Sequence, residues 1–301
     1  MEMMRCCPIC SSPKLRRRPF GYSFHDRWLE GIECRECGII FLDPQPAAAE
    51  IVQMYSTEYF ENDFRCGHAG SYFEEATLRH LVDHSLLRRI QEFKPSGRFL
   101  ETGCAGGAFL NAARQAGYEV QGVELSDVAA QFAREKFGLE VFTGELASAN
   151  FAEASFDIIY MGDVLEHLPA PVAALQELNR ILAVAGLLVL RCPMQTNNLF
   201  SRLGFLVFDA LGKKAAVQLP PYHLFEYRPK SLAALLRHTG FDILRTTESA
   251  IPPQNISLRG PWLHKIGKAI LQPANYLLTT LFGVFGDRLE VFATKRRALA
   301  A

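Results

Sequence analysis

The chain has 301 residues, with 32 Lys and Arg balanced by 32 Asp and Glu, and 49% of its residues are hydrophobic. That composition excludes a mainly disordered chain, and zero net charge argues against a broad nucleic-acid footprint. No apolar run approaches the ~18 residues of a membrane span, and the opening MEMMRCCPIC has no apolar signal core, so a cytoplasmic location is expected.

In chain order, cysteines come first. Five of the eight lie within the first 37 residues. Cys7-Pro-Ile-Cys10 and Cys34-Arg-Glu-Cys37-Gly38 form two knuckles. A two-residue gap lets both sulfurs turn to one ion, and two knuckles supply the four thiolates of a closed, structural Zn²⁺ site. The spacing fits a zinc ribbon over residues 1–44, with strands at Lys14–Arg18 and Arg27–Glu33. A pair of disulfides is the alternative, disfavoured in a reducing compartment. The basic run Lys14–Arg18 reads as a solvated strand edge, because the nearby acids and four thiolates cancel it. Cys66, Cys104 and Cys192 are isolated, and read as small buried hydrophobes.

Leu42-Asp-Pro-Gln-Pro46 marks a boundary. Residues 45–95 read as a helical linker or lid, with helices over Ala47–Tyr55 and Tyr72–Phe93. From residue 96 to 301 strand and helix alternate. Strands are expected at Arg98–Thr102, Val120–Glu124, Glu140–Thr143, Phe156–Met161, Gly186–Cys192, Phe241–Thr247 and Asp287–Lys295. Helices are expected at Gly107–Ala116, Asp127–Phe137, Pro171–Leu182 and Pro229–Thr239. Such alternation predicts a parallel α/β sheet whose ligand binds at the carboxyl ends of the strands. Residues 194–228 and 250–287 interrupt the pattern as apolar inserts.

The first strand of this unit runs into Glu101-Thr-Gly-Cys-Ala-Gly-Gly107. A turn of small residues before a helix lets backbone approach a ligand and presents free N–H groups. The next strand ends in Gly122-Val-Glu124, whose carboxylate suits a ribose diol. Thr143-Gly-Glu145-Leu146 and Met161-Gly-Asp-Val-Leu-Glu-His-Leu-Pro169 close the later units. A nicotinamide site prefers G-x-G-x-x-G, and Gly103-x-x-Gly106-Gly107 departs from it.

With these pieces in this order, residues Leu100 to about Phe241 resemble class I S-adenosylmethionine-dependent methyltransferases. The segments are LETGCAGG, GVELS, TGEL, FDIIYMGDVLEHL, LNRILAVAGLLVLRCP and HLFEYRPKSLAALLRHTGF. The whole chain is similar to bacterial zinc-ribbon methyltransferases of sugar and surface-polysaccharide pathways. The resemblance implies a Rossmann-like seven-stranded sheet of order 3-2-1-4-5-7-6. It implies that S-adenosylmethionine is held by Glu101, Gly103, Cys104, Gly107, Glu124, Leu125, Glu145, Leu146, Gly162 and Asp163, with Glu101 reaching the methionine ammonium and Glu124 the ribose hydroxyls. Ala105 stands where the family usually has Gly, so a negative φ is expected there.

Transfer to an oxygen acceptor needs a base at the strand ends, and His167 and His223 are the candidates for catalysis. The blander reading is that Glu166 and His167 cap the following helix and that His223 is a packed loop histidine. Asp163, Glu166, His167 and His223 also form a D-x-x-E-H…H set similar to the metal-binding set of RNA 2′-O-methyltransferases. Leu219-Pro-Pro-Tyr222 lies behind the wrong strand for an amine-methylating motif and reads as a loop stiffener. The expected function is methylation of a small-molecule acceptor, a sugar or related hydroxyl. The alternatives are an RNA methyltransferase that uses the ribbon for contact, a nucleotide-sugar C-methyltransferase, and a non-catalytic partner protein. The two inserts are expected to form a lid packed on the core. The alternative is peripheral contact with a membrane or a lipid-linked acceptor.

Overall fold

The computed structural model describes residues 5–24, 27–53, 73–217, 223–255 and 262–296. Cys66, Tyr72 and Leu219–Tyr222 lie outside the described residues, as do the side chains of Leu263, His264 and Lys265.

Two sheets share one core. The amino-terminal strands β1 (Leu15–Phe24), β2 (Arg27–Cys34) and β3 (Ile40–Asp43) form an antiparallel meander. The β1 and β2 strands are longer than the sequence pattern indicates, because Phe20, Tyr22, Phe24 and Leu29 are buried as fully as any core residue. Two strands from the later insert complete this sheet. The first, β9 (Ala215–Val217), runs parallel to β1; the second, β10 (Phe225–Glu226), pairs with β3. The basic run on β1 is neutralised by acids on or beside β2: Arg16–Glu33 at 2.7 Å, Arg17–Glu30 at 3.2 Å and Lys14–Glu36 at 2.8 Å.

The larger sheet has seven strands: β4 (Arg98–Thr102), β5 (Glu119–Glu124), β6 (Val141–Thr143), β7 (Phe156–Gly162), β8 (Leu182–Pro193), β11 (Phe241–Ser249) and β12 (Arg288–Lys295). Their order is β11-β12-β8-β7-β4-β5-β6, parallel from β8 to β6, with β12 antiparallel to both β8 and β11. Renumbered from β4, this is the expected 3-2-1-4-5-7-6, a Rossmann-like methyltransferase sheet.

Helices cover both faces, as an all-buried parallel sheet requires. On one face lie α3 (His84–Phe93), α4 (Ala108–Gln115) and α5 (Asp127–Phe137), packed through Leu86, Ile90, Leu110 and Ala133 onto Phe99, Ile158 and Val189. The other face carries α6 (Pro171–Ile181) and α8 (Pro229–His238). There Leu175, Leu178, Leu232 and Leu235 join Leu100, Ile159 and Leu190. The same cluster continues into Leu29, Ile40 and Phe41 of the small sheet, so the two sheets are packed together.

Two corrections concern helices. A short α1 (Ala48–Gln53) stands in the linker, but Phe73–Phe93 is two helices, α2 (Glu75–Leu81) and α3. They part at Val82–Asp83, where the Asp83 side chain accepts the Leu86 N–H and caps α3. The apolar periodicity carries across the break and hides it. The inserts contain α7 (Leu199–Ala210) and α9 (Trp262–Phe282). They are not a lid buried on the core: Leu206, Val207, Trp262, Ile270, Leu277 and Leu281 are all more than half exposed. Among the described residues no helix is long and apolar enough to cross a membrane.

Candidate active site

A cavity of about 960 Å³ opens at the carboxyl ends of β4, β5, β7 and β8, where the sheet order reverses. Its floor is the turn after β4. Gly103 N–H donates to the Val123 carbonyl at 2.7 Å and Gly107 N–H to Cys104 O at 2.8 Å. Gly103 and Gly107 hold φ of +70° and +77°. A Cβ on Gly103 would collide with the Val164 side chain, and one on Gly107 would lie 2.6 Å from Leu139. Only glycine satisfies both the backbone angle and the space.

Ala105 corrects an expectation. Its φ is +47°, left-handed rather than negative, at a cost of about 1–2 kcal/mol for a non-glycine residue. The Glu124 carboxylate holds it there by accepting the Ala105 N–H at 2.8 Å, while its other oxygen accepts the Ser126 N–H at 2.9 Å. Glu124 therefore braces the turn and still lines the cavity.

Glu101 differs. It is buried on the cavity wall, and its Oε2 has no hydrogen-bond partner. Burial, and next the neighbouring Glu124 carboxylate, push its carboxyl well above the ordinary range. A buried carboxyl without a partner is costly, and a cationic ligand in the cavity would remove that cost. Cys104, Leu125, Glu145, Leu146, Gly162 and Asp163 also line the cavity; Gly107 shapes the turn from behind. Asp163, at φ +56°, pairs with Arg288 at 3.0 Å.

His167 lies on the cavity wall. His223 stands behind it, with ring centroids 5.0 Å apart, and its Nδ1 meets Glu226 Oε1 at 3.1 Å. Burial opposes the charged ring of His223, but the Glu226 hydrogen bond and the surrounding carboxylates outweigh it and raise its pKa. Glu166 is fully buried, with no hydrogen bond to either oxygen and with His167 Nε2 3.7 Å from Oε1; its carboxyl is pushed up to about 8, chiefly by burial. It caps no helix. Of the four-residue set read from sequence, the structure gathers Glu166, His167 and His223, whose ligand atoms lie within 4.8 Å of one another. Asp163 is left out, drawn to Arg288.

Sequence reasoning missed a charged rim. Asp83 pairs with Arg191 at 2.9 Å, and Arg89 grips Glu290 through two bonds of 3.0 and 2.8 Å. Asp83, Arg191 and Arg288 all line the cavity. The one available signal was an arginine ending the apolar run of β8; Arg288 belongs to no motif.

The cysteine cluster is separate. The sulfurs of Cys7, Cys10, Cys34 and Cys37 all lie within 4.8 Å of one another, with Cys7–Cys37 at 3.7 Å and Cys10–Cys34 at 3.6 Å. Tetrahedral Zn–S bonds of ~2.3 Å put sulfurs about 3.8 Å apart, whereas a disulfide needs about 2.05 Å. The four are free thiols in a geometry that could hold a zinc ion.

Comparison with known proteins points to the methyltransferase family and fold. The chain is 25% identical over 181 residues to a ubiquinone biosynthesis O-methyltransferase of Burkholderia vietnamiensis, spanning 57% of this chain and 70% of that one. It is 28% identical over 193 residues to a 24-methylenesterol C-methyltransferase 2 of Oryza sativa, spanning 61% and 51%. A SAM-dependent methyltransferase from Archaeoglobus fulgidus shares the fold, with a TM-score of 0.50 at 21% identity over 72% of this chain and 94% of that one. Residues 72–246, more than half of the chain, match the family model described as a methyltransferase domain, and the protein belongs to that family as a class I S-adenosylmethionine-dependent methyltransferase.

Proposed function

We propose that the protein methylates an oxygen of a small hydroxylated acceptor, a sugar hydroxyl or a related compound. The observation that carries this reading is the buried Glu101 carboxyl, whose Oε2 has no hydrogen-bond partner, on the wall of a cavity that also presents His167. S-adenosylmethionine supplies an electrophilic methyl group on a sulfonium. Glu101 would bind its ammonium, and Glu124 its ribose hydroxyls, through the lone pairs that Ala105 and Ser126 leave free. Leu125, Glu145 and Leu146 would flank the adenine, and Gly162 and Asp163 the methionine side. Displacement in line gains most from positioning, which the hydrogen-bonded turn provides. His167 would take the proton from the acceptor hydroxyl. His223 and Glu226 would orient it from behind.

A relative named for O-methylation supports an oxygen acceptor, at low identity. The paired charges on β1 and β2 count against RNA contact. Cys7, Cys10, Cys34 and Cys37 would hold a structural Zn²⁺. The cluster of Glu166, His167 and His223 supports a second reading, in which a divalent ion binds there and polarises the hydroxyl. Labelled S-adenosylmethionine offered with nucleotide-sugars, lipid-linked sugars and total RNA tests the acceptor. The account expects label in the sugar or lipid fraction, and label confined to RNA would overturn it. Chelation followed by Mg²⁺ or Mn²⁺ add-back separates the two readings, since turnover that does not change discards the ion.

A further inference from the structure

The polarity of α9 is inverted. Its inward side is polar: Gln272 donates to Ile251 O at 2.9 Å, Asn275 Oδ1 accepts the Leu199 N–H at 2.8 Å, and Thr279 lies 2.8 Å from the Asn275 carbonyl. All three are buried. The outward side carries Trp262, Ile266, Ile270, Leu277 and Leu281, each between 48% and 67% exposed. Steps of four, four, seven and four residues put these five on a single stripe of the helix. A helix bathed in water has the opposite arrangement, so the outer environment of α9 must itself be apolar. Helix α7 packs beside it, with the Phe200 ring against Gly267, and exposes Leu203, Leu206 and Val207. No residue of α7 is buried.

Charge selects the occupant. Between Ala250 and Gly286 the sequence has Arg259, Lys265 and Lys268 but no Asp or Glu. A second copy of this segment offers no acidic group to pair with these cations. An anionic lipid surface would complement them, and an apolar stripe with Trp and Tyr beside basic residues is how a helix lies in the plane of a bilayer. At ~1.5 Å per residue the 21 residues extend about 31 Å, lying on the membrane rather than crossing it.

We infer that α7 and α9 form a platform that docks the enzyme on an anionic membrane surface. The platform is rooted next to the cavity: Met194 N–H donates to Asp287 O at 2.7 Å, beside cavity-lining Arg191 and Arg288. Docking therefore places the mouth of the site near the lipid. This inference does not depend on which acceptor is methylated.

Flotation of the full chain with phosphatidylcholine vesicles, with and without phosphatidylglycerol, tests it. A variant combining I266S, I270S, L277S and L281S serves as comparison, with its melting curve and S-adenosylmethionine affinity checked against the parent. The expected result is flotation with phosphatidylglycerol vesicles, weakened by salt, and at least tenfold weaker partition of the folded variant. Failure of the parent to float overturns the inference, and so does equal flotation of the variant. A parent that stays off vesicles but dimerises through this face, with the variant monomeric, would make the platform a contact between copies instead.

Discussion

The cysteine cluster and the glycine turn are both ligand-sized sites made from short motifs, yet they prepare for their ligands in opposite ways. Four sulfurs converge from two knuckles, with pairs at 3.6–3.7 Å, a spacing that could hold one metal ion. The turn after β4 is already closed by the chain's own bonds, Gly103 to Val123 and Ala105 to Glu124. What it retains is cost: a buried carboxyl oxygen of Glu101 with no hydrogen bond and a left-handed alanine. One region offers four converged thiols to a candidate ion. The other is closed by its own hydrogen bonds and leaves a buried, unsatisfied carboxyl oxygen for the ligand to pair with.

The contrast can be broken most severely at the metal end. Cys34→Ser, or exhaustive chelation, is expected to cost more than about 5 kcal/mol of stability. Because β1–β3 share a core with the large sheet, the loss should appear in the main thermal transition, alongside a zinc-to-protein ratio falling from about one to zero by mass spectrometry. A small shift would mean that the cluster is dispensable. At the cavity, His167→Ala should lower kcat by about 10²–10⁴-fold while leaving S-adenosylmethionine affinity within a few-fold; a loss of affinity without loss of kcat would return His167 to a packing role.

Glu101→Gln should weaken S-adenosylmethionine binding by about 100-fold, the worth of a charged hydrogen bond of about 2–3 kcal/mol. It should do so without weakening the ligand-free protein. The sign follows from linkage. A carboxyl whose folded pKa is raised binds more protons folded than unfolded, so stability falls as pH rises from the ordinary carboxyl value of 4.5 toward the raised one. The melting temperature of the ligand-free protein should therefore fall from pH 5.5 to 8 more steeply than that of Glu101→Gln. Parallel slopes would show that Glu101 has a partner in solution. The mildest change is Ala105→Gly. Relief of about 1–2 kcal/mol of strain, offset by about 0.5–1 kcal/mol of glycine entropy, leaves a gain of less than about 1 kcal/mol, read as a small upward shift in melting temperature.

Legibility followed the locality of the physics. The parallel α/β sheet was readable because β-α alternation and the Gly103–Gly107 turn are written in contiguous residues, whereas the strand order came only with the family resemblance. The cysteine knuckles were readable for the same reason, since a two-residue gap fixes where sulfurs point. The break at Asp83 was hidden because the apolar period runs through it and one side-chain cap makes the difference. Ala105 was misjudged because its φ is set by a hydrogen bond to a residue 19 positions away. Long-range pairs placed Asp163 with Arg288 and excluded it from the histidine cluster. The inverted face of α9 was only half readable: its stripe is visible in the sequence, but which side faces inward is decided by bonds to Leu199, 76 positions before Asn275, and to Asp287, beyond the helix end.

The central claim is that Glu101 waits for a cationic nucleoside. Isothermal titration of the ligand-free protein with S-adenosylmethionine, in buffers of different ionisation enthalpy, tests it directly. The account predicts binding with release of a proton at a pH just above the ordinary carboxyl range, and no such release in Glu101→Gln. Absence of heat from S-adenosylmethionine and from its demethylated product, or binding of a nicotinamide dinucleotide in their place, would contradict it.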